Sequence, residues 1–219
     1  MGFRTGRRSS TDWLLNIARS QAPEGCFVVG SVGPTGEVLD DPLRDEPLTE
    51  DQAYDAFAEQ ITALAEGGVD AVDIETMIDV NEATIAVRAA KENTDLVVIS
   101  TMFFDKGPRG FFTMMGTRPA EAVSRLHEAG ADIVGANCGN GIDVMLELAR
   151  ELRAATDGYL LIHSNAGHSV ADWGRDRVSG DAGVHGGAVQ GDGARCGREY
   201  HRRVLRDDAG AYKGAGGGG

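Results

Sequence analysis

Five short apolar runs, separated by longer segments of helical period, constrain what this chain can fold into more than any other feature. CFVVGS, VDAVDIET, DLVVIST, ADIVGANC and YLLIHSNA begin at Cys26, Val69, Asp95, Ala131 and Tyr159. The segments between them carry helix punctuation. Thr49 followed by Gln52 predicts a capping box, Phe57, Ile61 and Leu64 share one helical face, and Gly67 is the stop. Asp79 with Glu82 predicts the start of a second helix. Thr117 with Pro119 predicts a third that stops at Gly130, and Ile142, Met145, Leu148 and Leu152 stripe a fourth. Strands apolar on both faces and joined by helices form a parallel sheet, either open and doubly wound or closed as a barrel. The pattern alone does not choose between the two.

At 219 residues the chain bounds one domain with a sizeable core, and a full (β/α) barrel of roughly 250 residues would be a tight fit. A net charge of -13 argues against nucleic acid and anionic membrane surfaces as partners, because both need clustered Lys and Arg. No apolar run is long enough to span a bilayer, and MGFRTGRRSSTDW has no apolar signal core. A cytoplasmic protein is the expectation. Cys26, Cys138 and Cys196 are odd in number and widely spaced, which is neither a disulfide framework nor a metal knuckle.

The ends of the predicted strands collect polar groups: Ser31, Glu75 and Thr76, Ser100 and Thr101, Asn137 and Cys138, Ser164 and Asn165. In α/β folds that is the end where chemistry is placed. Cys138 is read as a zinc ligand, a nucleophile or core filling. Glu75 closes an apolar strand, where its carboxylate calls for a cation such as an amino-acid ammonium group, or serves a structural hydrogen bond. The segment FFDKGPRGFFTMMG is a loop dense in Phe and Met, read as packing across the mouth. His163 is read as a core or loop residue rather than a ligand. GSVGPTG lacks the Walker lysine and the GxGxxG spacing of a phosphate loop. None of Lys91, Lys106 and Lys213 ends a predicted strand, against Schiff-base chemistry.

Taken together, GSVGPTG, DIET with its downstream Asp and Glu-Ala, STMFFDKGPRGFFTMMG, GANCGNG and HSNAG resemble the homocysteine S-methyltransferase family. The homocysteine-binding domain of cobalamin-dependent methionine synthase is the nearest likeness. The motifs run in order from Cys26 to Gly167. The resemblance implies a (β/α)8 TIM barrel with strands three to seven visible. It also implies that Cys138 is the first of three zinc cysteines and that Glu75 holds the homocysteine amino group, with Ser31, Asn137 and Asn165 as further substrate-binding residues. Zinc bound by three thiolates would keep the homocysteine sulfur deprotonated for attack on a methyl donor. Methylcobalamin or another donor, presented by a corrinoid domain or a small molecule, would come from outside the chain. The family's first two strands are not visible, and its adjacent Cys-Cys pair is missing, so the implied zinc site is incomplete.

Residues 1–25 are accordingly read as a remnant N-terminal helix, 26–167 as the homocysteine-binding barrel core, and 168–219 as a disordered, frame-shifted tail. Fourteen of the 31 glycines lie between Gly174 and Gly219, with no period of two or 3.6. Read as degenerate codons one nucleotide later, Gly197 to Lys213 permits Gly-Val-Asn-Ile-Ile-Gly-Gly-Cys-Cys-Gly-Thr-Thr-Pro-Glu-His-Ile. Val204, Leu205 and Arg206 then allow the missing Cys-Cys pair. Shifted codons over His168 and Ser169 permit Ile-Pro after Asn-Ala-Gly, which locates the slip near His168. On this reading Cys196 is accidental. The expected function is zinc-dependent methyl transfer to homocysteine, impaired in this chain. The alternatives are a non-catalytic α/β binding fragment without zinc and an enzyme using Cys138 as a lone nucleophile.

Overall fold

The computed structural model describes residues 15, 17–139 and 141–165, together with the backbone of 169–172 and 175–178. All five apolar runs form strands: β1 (Val29–Val32), β2 (Ala71–Met77), β3 (Val97–Met102), β6 (Ile133–Cys138) and β7 (Tyr159–Ser164). They build one parallel sheet in the order β1-β2-β3-β6-β7. Chain order and sheet order agree, so the sheet has no reversal point of the doubly wound kind. Right-handed crossovers then carry every helix to the same side. The alternative left open by the strand pattern is decided for an arc of a (β/α) barrel.

The helices are α1 (Glu50–Glu66), α2 (Val80–Asn93), α3 (Pro119–Ala129) and α4 (Ile142–Ala155). Thr49 and Gln52 form the expected reciprocal capping box on α1. Phe57, Ile61 and Leu64 are buried, each contributing about 1.5–3 kcal/mol on leaving water. Asp79 caps α2 through Asn81 N–H at 2.8 Å, but Glu82 turns away to a loop. The start of α3 falls one residue later than expected. Thr117 is spent on a turn, its N–H donating to Thr113 Oγ1 and its carbonyl accepting from Thr113 N–H. Arg118 is therefore the cap, and Pro119 fixes the first helical φ. Gly130, at φ 105°, ends the helix in the left-handed conformation.

The core has two parts. The helix-facing side of the sheet, with Val72, Ile74, Val98, Met102, Val134 and Ala136, merges with the buried helix faces. The inner face holds a smaller layer of Ala71, Ile99, Ile133 and Leu161. Gly135 lies beside this layer, where a Cβ would stand 1.8 Å from the Leu161 carbonyl oxygen. β7 can approach β6 as it does only because that position is glycine.

Two segments read as loop or tail contain strands. FFDKGPRGFFTMMG folds as an antiparallel hairpin of β4 (Asp105–Gly107) and β5 (Gly110–Phe112). Phe104 and Phe111 are buried in the main core, while Met114 and Met115 are exposed. Beyond β7, β8 (Ser169–Asp172) pairs antiparallel with β9 (Arg175–Val178), apart from the main sheet. The rest of the 168–219 tail, with its shifted-frame motif and Cys196, lies outside the described residues. Of the 1–25 segment, Ile17 to Gln21 are helical and Leu15 packs into the core. Arg19 reaches across to Asp70 at 2.9 Å, and Asp70 also accepts from Val28 N–H at 2.6 Å.

Candidate functional site

The C-terminal end of β2 is where regular pairing breaks. Its register with β3 is irregular between Ile74 and Met77, and Thr76 has φ 61°. A β-branched residue in the left-handed region is strained by roughly 1–3 kcal/mol and persists only when its surroundings hold it. Asn137, near the end of β6, does the holding. Its Oδ1 accepts from Thr76 N–H at 2.8 Å and from Thr101 Oγ1 at 3.0 Å. Its Nδ2 donates to Thr76 Oγ1 at 2.6 Å and to Cys138 Sγ at 3.3 Å.

Asn137 is buried, and both lone pairs and both amide protons have protein partners. Its amide joins three strands and keeps no donor or acceptor spare for a ligand. Cys138 is half-buried with φ 64°, so a second non-glycine residue at this mouth is left-handed. Thr76 Oγ1 lies 3.9 Å from its sulfur. After the cysteine, Asn165 N–H donates to Cys138 O at 2.9 Å and Asn165 Nδ2 to Gly139 O at 3.3 Å. Asn165 therefore fastens the turn that follows the thiol.

Glu75 is half-buried and accepts from Ser31 Oγ at 2.5 Å across the β1–β2 pair. Among the described residues no ion pair involves Glu75. Thus Ser31 joins Glu75, and Asn137 joins Thr76, Thr101 and Cys138, as the strand-end reading expected. Ser100 departs from that ring. It pairs in register with Ile74 and Val134 on the helix side, and its fully buried Oγ has no hydrogen-bond partner among the described residues. Successive strand residues point to opposite faces, so Ser100 and Thr101 cannot both face the mouth. His163 is exposed, in register with Asn137.

Sequence reasoning passed over Asp73 and read Glu82 only as a helix-start residue. Asp73 is 8% exposed on the inner face of β2. Burial pushes its carboxyl up to about 7, the nearby Glu75 charge adds to this, and the Thr101 hydrogen bond opposes it. The signal was available: an acid two residues before Glu75, on the same face of an apolar run. Glu82, also buried, accepts from Thr35 N–H at 2.7 Å and Thr35 Oγ1 at 2.6 Å. It anchors the GSVGPTG loop over the strand ends, a long-range contact with no local sequence signature.

Among the described residues, no three His, Cys, Asp or Glu side chains come together as a metal site. Cys26 precedes β1, at the opposite end of the sheet from Cys138. The described donor set therefore offers one thiol and does not fit a three-thiolate zinc.

The family model described as homocysteine S-methyltransferase matches residues 9–187. The chain belongs to the homocysteine S-methyltransferase family. The family match extends beyond the 26–167 span that carried the motifs. Betaine–homocysteine S-methyltransferase 1 of Rattus norvegicus is 31% identical over 160 residues, covering 70% of this chain and 37% of that protein. The chain thus spans little more than a third of that relative. The apo form of the Escherichia coli homocysteine methyltransferase MmuM superimposes with a TM-score of 0.54 at 18% identity, over 76% of this chain and 64% of that one. Its oxidized form gives 0.56 at 18%, over 74% and 58%. These structures share the family's barrel fold with this chain.

Proposed function

We propose that this chain binds homocysteine at the strand-end mouth as the methyl acceptor of a thiol methylation. In such a reaction the homocysteine thiol loses its proton and its sulfur attacks the methyl carbon. The bond between that carbon and the donor breaks, and the donor keeps the electron pair. The observation that carries the reading is the convergence, in a member of this family, of Glu75 and Thr76 at the end of β2 with Asn137 and Cys138 at the end of β6, either side of β3.

In this reading Glu75 receives the substrate ammonium group, and the Ser31 hydroxyl keeps the carboxylate pointed at the mouth. Asn137 positions rather than contacts, because its hydrogen bonds are already made. Asn165 holds the turn beside Cys138, which faces the sulfur end of the substrate. The methyl donor, methylcobalamin or another methylated compound, arrives from outside the chain. Zinc would sharpen the thiol chemistry, but the described residues supply only Cys138 of the implied set. A frame slip near His168 would restore the adjacent cysteine pair.

Calorimetric titration with L-homocysteine tests the reading. Glu75→Gln, which loses a charge-assisted contact, should weaken binding by about tenfold or more. Unchanged affinity would remove Glu75 from the site, and absence of binding by the unmodified chain would overturn the proposal. A second reading, an amino-acid binder without methyl transfer, is favoured by Cys138 being the one described thiol at the strand-end mouth. Homocysteine binding with no bound zinc and no methylation would select it. Sequencing the coding DNA across the codons for Asn165 to Val170 tests the slip directly: an unaltered reading frame there sinks it.

A further inference from the structure

Two carboxyl groups lie on the inner face of β2, and the proposed function uses only Glu75. Asp73 Oδ1 lies 3.5 Å from Thr101 Oγ1. Thr101 is fully buried, and its hydroxyl donates to Asn137 Oδ1 at 3.0 Å. Asn137 in turn donates to Thr76 Oγ1 and Cys138 Sγ. We propose that Asp73 is a positioning residue that, as a neutral carboxyl, donates to Thr101 and through Thr101 and Asn137 holds Thr76 and Cys138 in their left-handed conformations.

Proton counting supports this assignment. A threonine hydroxyl has one proton, and two acceptors stand beside that of Thr101. If Asp73 is neutral, it donates to Thr101, Thr101 donates to Asn137, and every buried group has a partner. If Asp73 is ionised, it competes with Asn137 for the single proton, and either Asp73 loses its Thr101 donor or Asn137 Oδ1 keeps only Thr76 N–H. The shorter contact runs from Thr101 to Asn137, as the neutral arrangement requires. Burial and the Glu75 charge favour the same form.

The neighbouring inner faces contribute few competing charges. β1 presents Ser31, β3 Ile99 and Thr101, and β6 Ile133 and Asn137, with Cys138 at its end. Among the described residues of these strands, the other titratable groups are Glu75 on β2 itself and Tyr159 and His163 on β7. Raising the pH through neutrality should therefore loosen the Asn137 clamp through Asp73. The inference goes beyond homocysteine binding and holds for any ligand of this mouth.

Nuclear magnetic resonance of the Asn137 side-chain amide in the full chain, without ligand, is the test. Between about pH 5.5 and about pH 8.5 the wild-type signals should shift with a midpoint near 7. Asp73→Asn, whose amide still donates to Thr101, should keep the low-pH signals throughout and lose the titration. Thr101→Val should abolish the titration with Asp73 still present, and serves as the second break in the relay if Asp73→Asn fails to fold. Wild-type signals that do not move with pH would overturn the proposal. So would a midpoint that survives in Asp73→Asn, which would belong to another group.

Discussion

Asn137 Oδ1 accepts the backbone N–H of Thr76 at 2.8 Å, tying the end of β6 to the strained end of β2 across the intervening β3. The bond serves a backbone conformation that a β-branched residue would otherwise avoid.

Asn137→Ala should therefore cost more than a surface change. It strands Thr101 and Thr76 donors in a mostly buried region, and about 1–3 kcal/mol of stability should be lost. Urea denaturation should show a lower midpoint at unchanged slope. A midpoint within error of wild type would mean that the clamp is not needed to hold Thr76.

Asp73 makes stability fall as pH rises. Its folded value of about 7 stands above its ordinary 3.8, so between those values the folded state binds the extra proton. Stability declines across this window and levels off above about pH 7, with an upper bound on the order of 4 kcal/mol. Asp73→Asn should remove this component, so its denaturation midpoint should gain on wild type from pH 4 toward pH 7. A constant difference would contradict the assignment.

Gly135→Ala places a methyl group against the Leu161 carbonyl, a backbone atom that cannot rotate away. The β6–β7 pairing should open, at a cost above the roughly 1–3 kcal/mol typical of overpacking. Hydrogen exchange over Tyr159–Ser164 would report it, and unchanged protection there would count against the close approach.

Glu82→Ala removes the acceptor for both Thr35 groups. The 33–37 loop should become the first site of limited proteolysis, with about 1–3 kcal/mol lost. Glu82→Gln retains an acceptor oxygen and should be milder. Equal cleavage in both variants would mean that charge rather than hydrogen bonding anchors the loop.

The five strands, the capping box of α1 and the cluster of polar residues at strand ends were legible in sequence because each depends on neighbours only a few residues away. Periodicity reports which positions avoid water, and caps report where backbone donors need partners. The hairpin within FFDKGPRGFFTMMG was not legible as strand, since its three-residue strands are too short for a period. Asp73 was visible but unremarked, and its importance emerged only with Thr101 beside it. Ser100 and Thr101 could not be assigned to opposite faces until the register was known.

By itself the sequence determined the strand–helix alternation, the family motifs and the residues available for chemistry. Only the tertiary structure decided that the sheet runs in chain order as a barrel arc, that Asn137 is fully engaged by its neighbours, and that Glu82 reaches the β1 loop. The reason is distance along the chain. Thr76 and Asn137 are separated by 61 residues and Thr35 and Glu82 by 47. Whether a polar side chain faces a ligand or a partner is set by which strands become neighbours, and no local pattern encodes that.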